Sequence, residues 1–275
     1  MLSFICVGPQ RTASSWLDQM LRQHPQISLP NSVKETFFWD QRYSKGFQWY
    51  YSHFKTTNHQ IMGEIAPTCF DNPQACHRIT DANPEIKVLI CLRDPIERTY
   101  SLYCHKYATG RLKGNFAQAL NEDQRLVNSS KYSQYVNLWS KNVGSENILL
   151  VRQEGVAQEP IAVLNDICAF IGIPAMEWEN PSQKYGQKAQ PISVSLTAMA
   201  NQVARSLRAM GIHSLPELGK KMGLKKLIYQ GGSSQYPPML ESDRLRLFEE
   251  LKQEYEWLSQ LPKNRTLILS KLSNY

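Results

Sequence analysis

The sequence predicts an α/β fold: a central parallel sheet flanked by helices on both faces, with a mostly helical C-terminal part. Three observations predict it. The runs Leu2–Val7, Ile61–Ile65, Ile86–Leu92 and Asn147–Val151 are apolar and β-rich along their whole length, as strands covered on both faces must be. They alternate with helical stretches, the signature of crossover connections between parallel strands. The first run also passes through one short, hydroxyl-rich turn straight into an amphipathic stretch, the strand–loop–helix order of a nucleotide-binding fold. At 275 residues, one domain with a sizeable core accommodates the chain. We read residues 1–175 as its α/β core and 176–275 as a helical, basic part of the same domain.

Each element follows from local chemistry. Leu2–Val7 stops at Gly8-Pro9, and a helix over Ser15–Gln23 follows. A short strand fits Ile27–Leu29. Pro73 and Pro95 each suit a first helical turn, which predicts helices over Pro73–Ala82 and Pro95–Tyr107. Further helices fit Tyr132–Lys141 and Pro160–Ile171, the latter ended by Gly172-Ile173-Pro174, since glycine then proline cannot continue it. Two more are expected at Ser193–Met210 and Met239–Glu256, with loops at Asn180–Gln190 and Gln230–Pro238. No repeat or low-complexity tract interrupts this order.

Composition narrows the function classes. Met1 leads directly into the first strand and no apolar run approaches a membrane span, so a cytoplasmic protein without signal peptide or membrane partner is expected. The six cysteines form no Cys-x-x-Cys pair, which predicts neither a disulfide framework nor a zinc site. The adjacent pairs Cys76-His77 and Cys104-His105 are read as incidental, and no metal is expected. The net charge of +7 is concentrated between residues 180 and 230, where eight Lys and Arg face a single acid, Glu217. Such a segment suits a solvated face, an anionic ligand or a polyanion; it lacks the interleaved aromatics of single-strand nucleic-acid binders.

The turn after the first strand carries the chemistry. Unpaired backbone N–H groups and the positive end of a helix dipole converge there, making an anion site. Arg11 adds a full charge, and Thr12, Ser14 and Ser15 add hydroxyls. The ligand expected is phosphate-like. A nucleotide-triphosphatase loop would need Gly-Lys-Ser/Thr after a four-residue gap from its first glycine, yet Ala13-Ser14-Ser15 stand there. A second cation, Arg93, closes the strand Ile86–Leu92 at the carboxyl end, where ligands of open α/β sheets bind. Its fork can hold a phosphate through paired donors. A structural pairing of Arg93 with Asp94, or of Arg98 with Glu97, is the competing reading.

Gly8-Pro9-Gln10-Arg11-Thr12-Ala13-Ser14-Ser15-Trp16-Leu17 resembles the phosphosulfate loop of sulfotransferases that use 3′-phosphoadenosine 5′-phosphosulfate (PAPS), and Arg93-Asp94-Pro95-Ile96-Glu97-Arg98-Thr99-Tyr100-Ser101 resembles their 3′-phosphate motif. Lys34-Glu35-Thr36-Phe37-Phe38 and Gly63-Glu64-Ile65-Ala66-Pro67-Thr68 resemble segments of the heparan-sulfate-type branch and of bacterial small-molecule sulfotransferases. Tyr132 through Trp139 resembles a helix that lies beside the nucleotide in relatives. Two departures are Arg11 in place of the loop lysine and Ile65 in place of a second lysine near the sulfuryl group.

The resemblance implies a P-loop-like fold and residue roles. Arg11, Thr12, Ala13, Ser14, Ser15, Trp16, Arg93 and Ser101 would bind PAPS and its product PAP, with Lys184 and Lys188 on a closing loop. Glu35 would be the base, and Lys34 with Arg11 would stabilise the leaving charge. Glu35 and Glu64 compete for the role of base, and Lys34 is expected to keep Glu35 ionised. Phe38, Trp39, Glu64 and His53 are candidate acceptor-binding residues, although His53 also fits an aromatic cluster. The expected acceptor is a soluble small molecule such as a secondary metabolite, bound through a hydroxyl or nitrogen. A glycan acceptor, a kinase-like phosphotransferase and a basic nucleic-acid-binding module are the alternatives, nucleic acid being the partner least expected.

Overall fold

A computed structural model describes residues 1–55, 57, 60–183 and 236–270. The helix expected over Ser193–Met210 lies outside these residues. Of the described residues, 1–98, 128–183 and 251–270 form one compact unit, and 99–127 with 236–250 form another.

The first unit holds a six-stranded sheet of β1 (Leu2–Gly8), β2 (Ile27–Ser28), β3 (Ile61–Ile65), β4 (Lys87–Leu92), β5 (Ile148–Arg152) and β6 (Thr266–Ile268), in the order β2-β3-β1-β4-β5-β6. The first five pair in parallel. Only β6 runs antiparallel, against β5, and it escaped the sequence reading. Its Thr266-Leu267-Ile268 is a short edge strand with one buried residue, too brief for a periodic signal; a single antiparallel edge is common on such sheets.

Period-two alternation sorts the strands between two cores. Ile5, Val7, Val88, Ile90, Leu92, Ile148 and Leu150 meet one layer of side chains, including Phe70 from the turn after β3 and Tyr132 and Trp139 from a helix. Phe4, Cys6, Leu89, Cys91, Leu149 and Val151 meet the other, which brings in Trp16, Leu17, Val163 and Ile167. Both faces of the sheet are therefore covered, as continuous apolar strands require. The covering helices include α1 (Ser14–Leu21), α4 (Pro73–Ala82), α8 (Tyr132–Val143) and α10 (Pro160–Ile171). All six cysteines are buried and unlinked.

Short elements fill the connections. α2 (Phe38–Gln41) and α3 (Gly46–Tyr51) carry an aromatic cluster between β2 and β3, and α9 (Gln153–Gln158) follows β5. In the other unit lie α6 (Phe116–Glu122), α7 (Arg125–Asn128, its last residue outside that unit) and the continuation of α5 (Pro95–Ala108). There Tyr103 donates to the Gly114 carbonyl at 2.8 Å, Lys106 pairs with Asp123, and Asn115 with Gln118 forms a capping box. The helix expected over Met239–Glu256 is two helices, α11 (Glu241–Glu250) and α12 (Lys252–Gln260). Leu251, non-helical at φ −107° and ψ 13°, separates them. Among the described residues no helix is long and apolar enough to cross a membrane.

Candidate active site

β1 delivers the chain to its carboxyl end at Gly8, and α1 begins after five intervening residues. Arg11 and Ala13 both take left-handed backbone conformations, φ 74° and 73°, and the buried Thr12 hydroxyl donates to the Pro9 carbonyl at 2.6 Å. Ala13 occupies the N-cap and offers no side-chain acceptor. A serine or aspartate there would cap the first-turn N–H groups itself; alanine leaves that work to an anion.

A second cation, besides Arg11 within the loop, comes from outside it. Lys34 donates through Nζ to Ser14 Oγ and Ser15 Oγ, each at 3.1 Å. Its approach is fixed from α1, where Arg22 pairs with the buried Asp18 at 2.9 Å. The same guanidinium donates to the carbonyls of Pro30, at 2.9 Å, and Val33, at 3.3 Å. Burial holds the Lys34 ammonium below the usual lysine value, while the charges of Asp18 and Glu35 pull it back up. Ile65 faces the core beside Phe4 and Cys6, and among the described residues Lys34 is the lysine that reaches the loop hydroxyls.

Glu35 points elsewhere. Its Oε1 accepts from the Thr68 N–H at 3.1 Å and the Thr68 hydroxyl at 2.5 Å. Thr68 follows Pro67, which packs on Gly8 so closely that a Cβ there would lie 2.7 Å from the Pro67 Cα. The base candidate thus stands at the foot of the anion loop. Burial raises its carboxyl to about 7, against the Thr68 hydrogen bonds; the Glu64 charge raises it further, and Lys34 opposes this with the smallest effect. The expectation that Lys34 keeps Glu35 ionised is corrected accordingly: the ammonium is committed to the serines, and desolvation dominates.

Gly8→Ala is expected to destabilise the chain by about 1–3 kcal/mol, because φ of +100° at that residue is hostile to a side chain and the Cβ meets backbone. A denaturant titration checks this; an unchanged midpoint would refute the tight junction.

Arg93 Nη1 donates to the Arg11 carbonyl at 3.3 Å, tying the ends of β1 and β4 together. Asp94 accepts from the Glu97 N–H, capping α5, and from the Tyr255 hydroxyl. Arg98 is fully buried, donates through Nε to Ser130 Oγ at 2.5 Å, and burial lowers its guanidinium to about 10. Ser101 lies buried on α5.

The remaining expected site residues fall differently. Phe38 and Trp39 are each 1% exposed; within the aromatic cluster Phe38 stacks on Tyr50 and Trp39 meets it edge-on. Their bulk serves the core, where apolar area is worth most. Glu64 is completely buried and accepts from the Thr36 N–H at 2.7 Å and the Tyr50 hydroxyl at 2.8 Å, which removes it from contact with an acceptor. His53 meets the Trp49 carbonyl through Nδ1 and packs against that indole, the cluster role the sequence also allowed. Trp16 is buried and donates through Nε1 to the Pro181 carbonyl at 2.7 Å. Gln23 holds Glu179 through two further hydrogen bonds, so residues 179–181 run along α1. Lys184 and Lys188 lie outside the described residues. Thr68 was not singled out as a site residue, although it ends the Gly63–Thr68 segment; its spacing from Pro67 was the available signal. Among the described residues, no three His, Cys, Asp or Glu side chains converge as metal ligands.

Comparisons with known proteins bear on the family and the fold. The chain is 28% identical over 192 residues to the bifunctional heparan sulfate N-deacetylase/N-sulfotransferase 1 of Caenorhabditis elegans, covering 64% of this chain and 22% of that one. It is 33% identical over 105 residues to the membrane-associated sulfotransferase kil1 of Dictyostelium discoideum, covering 37% and 22%. The chain thus spans about a fifth of the length of these curated relatives. A sulfotransferase structure from Alicyclobacillus acidocaldarius shares the fold, with a TM-score of 0.60 and 24% identity, over 78% of this chain and 96% of that one. The family model described as sulfotransferase domain matches residues 3–214, most of the chain, and the protein therefore belongs to the sulfotransferase family.

Proposed function

We propose that the chain transfers a sulfuryl group from PAPS to a hydroxyl or nitrogen of a small-molecule acceptor, with Glu35 as the base. The observation that carries this reading is the divergence of two neighbouring side chains: Lys34 reaches the serines of the anion loop while Glu35 turns to Thr68 beside Gly8. A cation for the donor and a base for the acceptor are thereby placed on consecutive residues.

The residues fit a donor with phosphate at both ends. An N-cap without its own acceptor, left-handed backbone at Arg11 and Ala13, and the Lys34 ammonium suit the phosphosulfate end. Arg93, at the end of β4, suits the other. PAPS supplies an activated sulfuryl group whose bond to the phosphate oxygen breaks as the bond to the acceptor forms. Lys34, Arg11 and the first-turn amides of α1 stabilise the charge growing on that oxygen. Thr68 fixes Oε1 of Glu35, leaving Oε2 to take the acceptor proton.

PAP is expected to stabilise the protein without magnesium, and ATP far less, since the loop lacks Gly-Lys-Ser/Thr. At about 100 times its dissociation constant, PAP should add roughly 2.7 kcal/mol. Magnesium-dependent stabilisation by ATP with none from PAP, in a thermal-shift series, would favour the phosphotransferase alternative; stabilisation by single-stranded DNA alone would favour the nucleic-acid one.

A second reading is an amino group of a glycan, favoured by the similarity to proteins named as heparan sulfate N-sulfotransferases. Incubation with PAPS and, separately, N-desulfated heparin or a panel of small alcohols, phenols and amines decides between them. Mass spectrometry reads which acceptor gains SO3.

A further inference from the structure

Glu64 is the buried acid that the proposed chemistry does not use. It sits near the end of β3, fully buried, and among the described residues its hydrogen-bonding neighbours are Thr36, Tyr50 and Trp39, with no ion-pair partner. An isolated buried carboxylate is costly, so its surroundings indicate what it does. Oε1 accepts from the N–H of Thr36, the residue directly after Glu35. Oε2 accepts from the hydroxyl of Tyr50 on α3. The same Thr36 is held on its other side, where its carbonyl accepts from Arg42 at 3.2 Å and its Oγ1 accepts from the Phe38 N–H at 3.1 Å. The Glu35–Thr36 peptide is thus pinned from β3 and α3 while the Glu35 side chain is pinned by Thr68.

We propose that Glu64 is a positioning residue: with Tyr50 it clamps the peptide that carries Glu35, and as a like-charged neighbour it sets the pH at which Glu35 accepts a proton. The proposal rests on the reading of Glu35 as the base. The groups that face Glu35 are Thr68 from the turn after β3, Glu64 from β3 and Lys34 beside it; Arg11 and Asp18 act on that lysine in turn. Facing Glu64 are Tyr50 from α3, Thr36, and Trp39 from α2. Burial raises the Glu64 carboxyl as well, against the bonds from Thr36 and Tyr50, so the Tyr50 hydroxyl helps keep the second charge in place.

The test uses the full chain labelled with carboxyl-13C glutamate, in which the Glu35 signal is identified by its disappearance in Glu35→Gln. Glu35 is expected to titrate near 7 in the native protein. In Glu64→Gln its midpoint should fall, because glutamine keeps an acceptor for Thr36 but carries no charge. Tyr50→Phe should lower it by a smaller amount, by withdrawing the donor that sustains the Glu64 charge. Transfer to N-desulfated heparin, or to whichever acceptor the mass-spectrometric screen identifies, should show the acidic limb of kcat moved downward in both variants, with KM for PAPS unchanged. A role confined to packing would leave both midpoints and limbs in place, and that result overturns the proposal. Should Glu64→Gln fail to fold, Tyr50→Phe decides alone. A shifted midpoint in a chain that transfers no sulfuryl group to any acceptor would sustain the clamp and refute the reaction.

Discussion

Replacing Glu35 by glutamine is expected to abolish most sulfuryl transfer, by roughly 10²–10⁴-fold, while PAP affinity stays as it was. The side chain is anchored by one oxygen only: Thr68 donates twice to Oε1. Glutamine can keep that anchor through its carbonyl oxygen, so geometry survives and proton acceptance does not. The pH dependence follows from the same site. Burial raises the carboxyl to about 7, and a base works only when ionised. The native rate should therefore rise with pH below about 7 and level off above it. Glu64, the other acid in this region, is sealed behind Thr36 and Tyr50, so Glu64→Gln should keep substantial activity. Single-turnover rates with one common acceptor check both. Near-normal turnover in the Glu35 variant, with loss in the Glu64 variant, would reverse the assignment.

How much of this was legible beforehand depends on the range of the interaction. The five parallel strands were readable because burial on both faces demands continuous apolar runs such as Ile86–Leu92. Pro73, Pro95 and Gly172 marked helix ends through backbone chemistry that needs no tertiary context. The elements that escaped are short: α2 and α3 have only four and six residues, less than a cooperative helix can sustain alone. They exist because Phe38, Trp39 and Tyr50 pack together, a contact that no local pattern in the sequence announces. Direction was equally hidden. Adjacent Lys34 and Glu35 invite a pairing on paper, yet they point to partners 20 residues back and 33 residues ahead. Only the crossing of separate chain segments decides such geometry.

That divergence leads to the second large effect. Lys34→Ala is expected to slow the chemical step by about 10²–10³-fold, the loss typical of removing one preorganised donor from a developing charge. Arg11 sits within the loop itself and belongs to the same set. Lys34 is singled out because its ammonium lies on both serine hydroxyls at the start of α1, with its approach fixed by the Asp18–Arg22 pair. Little of its position must be reorganised when charge grows on the leaving oxygen. Arg93 differs: it is expected to hold the phosphate whose charge does not change during transfer, so its contribution is uniform binding. Arg93→Ala should weaken PAP by about 10–100-fold yet leave the single-turnover rate at saturating PAPS nearly intact. Its bond to the Arg11 carbonyl is a single contact at 3.3 Å, so disturbance of the loop should add only a small rate effect. Calorimetry with PAP and quenched-flow turnover at saturation separate the two roles. Equal losses of rate in the two variants would show that Arg93 also acts on the transition state, and an unimpaired rate in Lys34→Ala would leave Arg11 and the α1 amides to stabilise the leaving group without it.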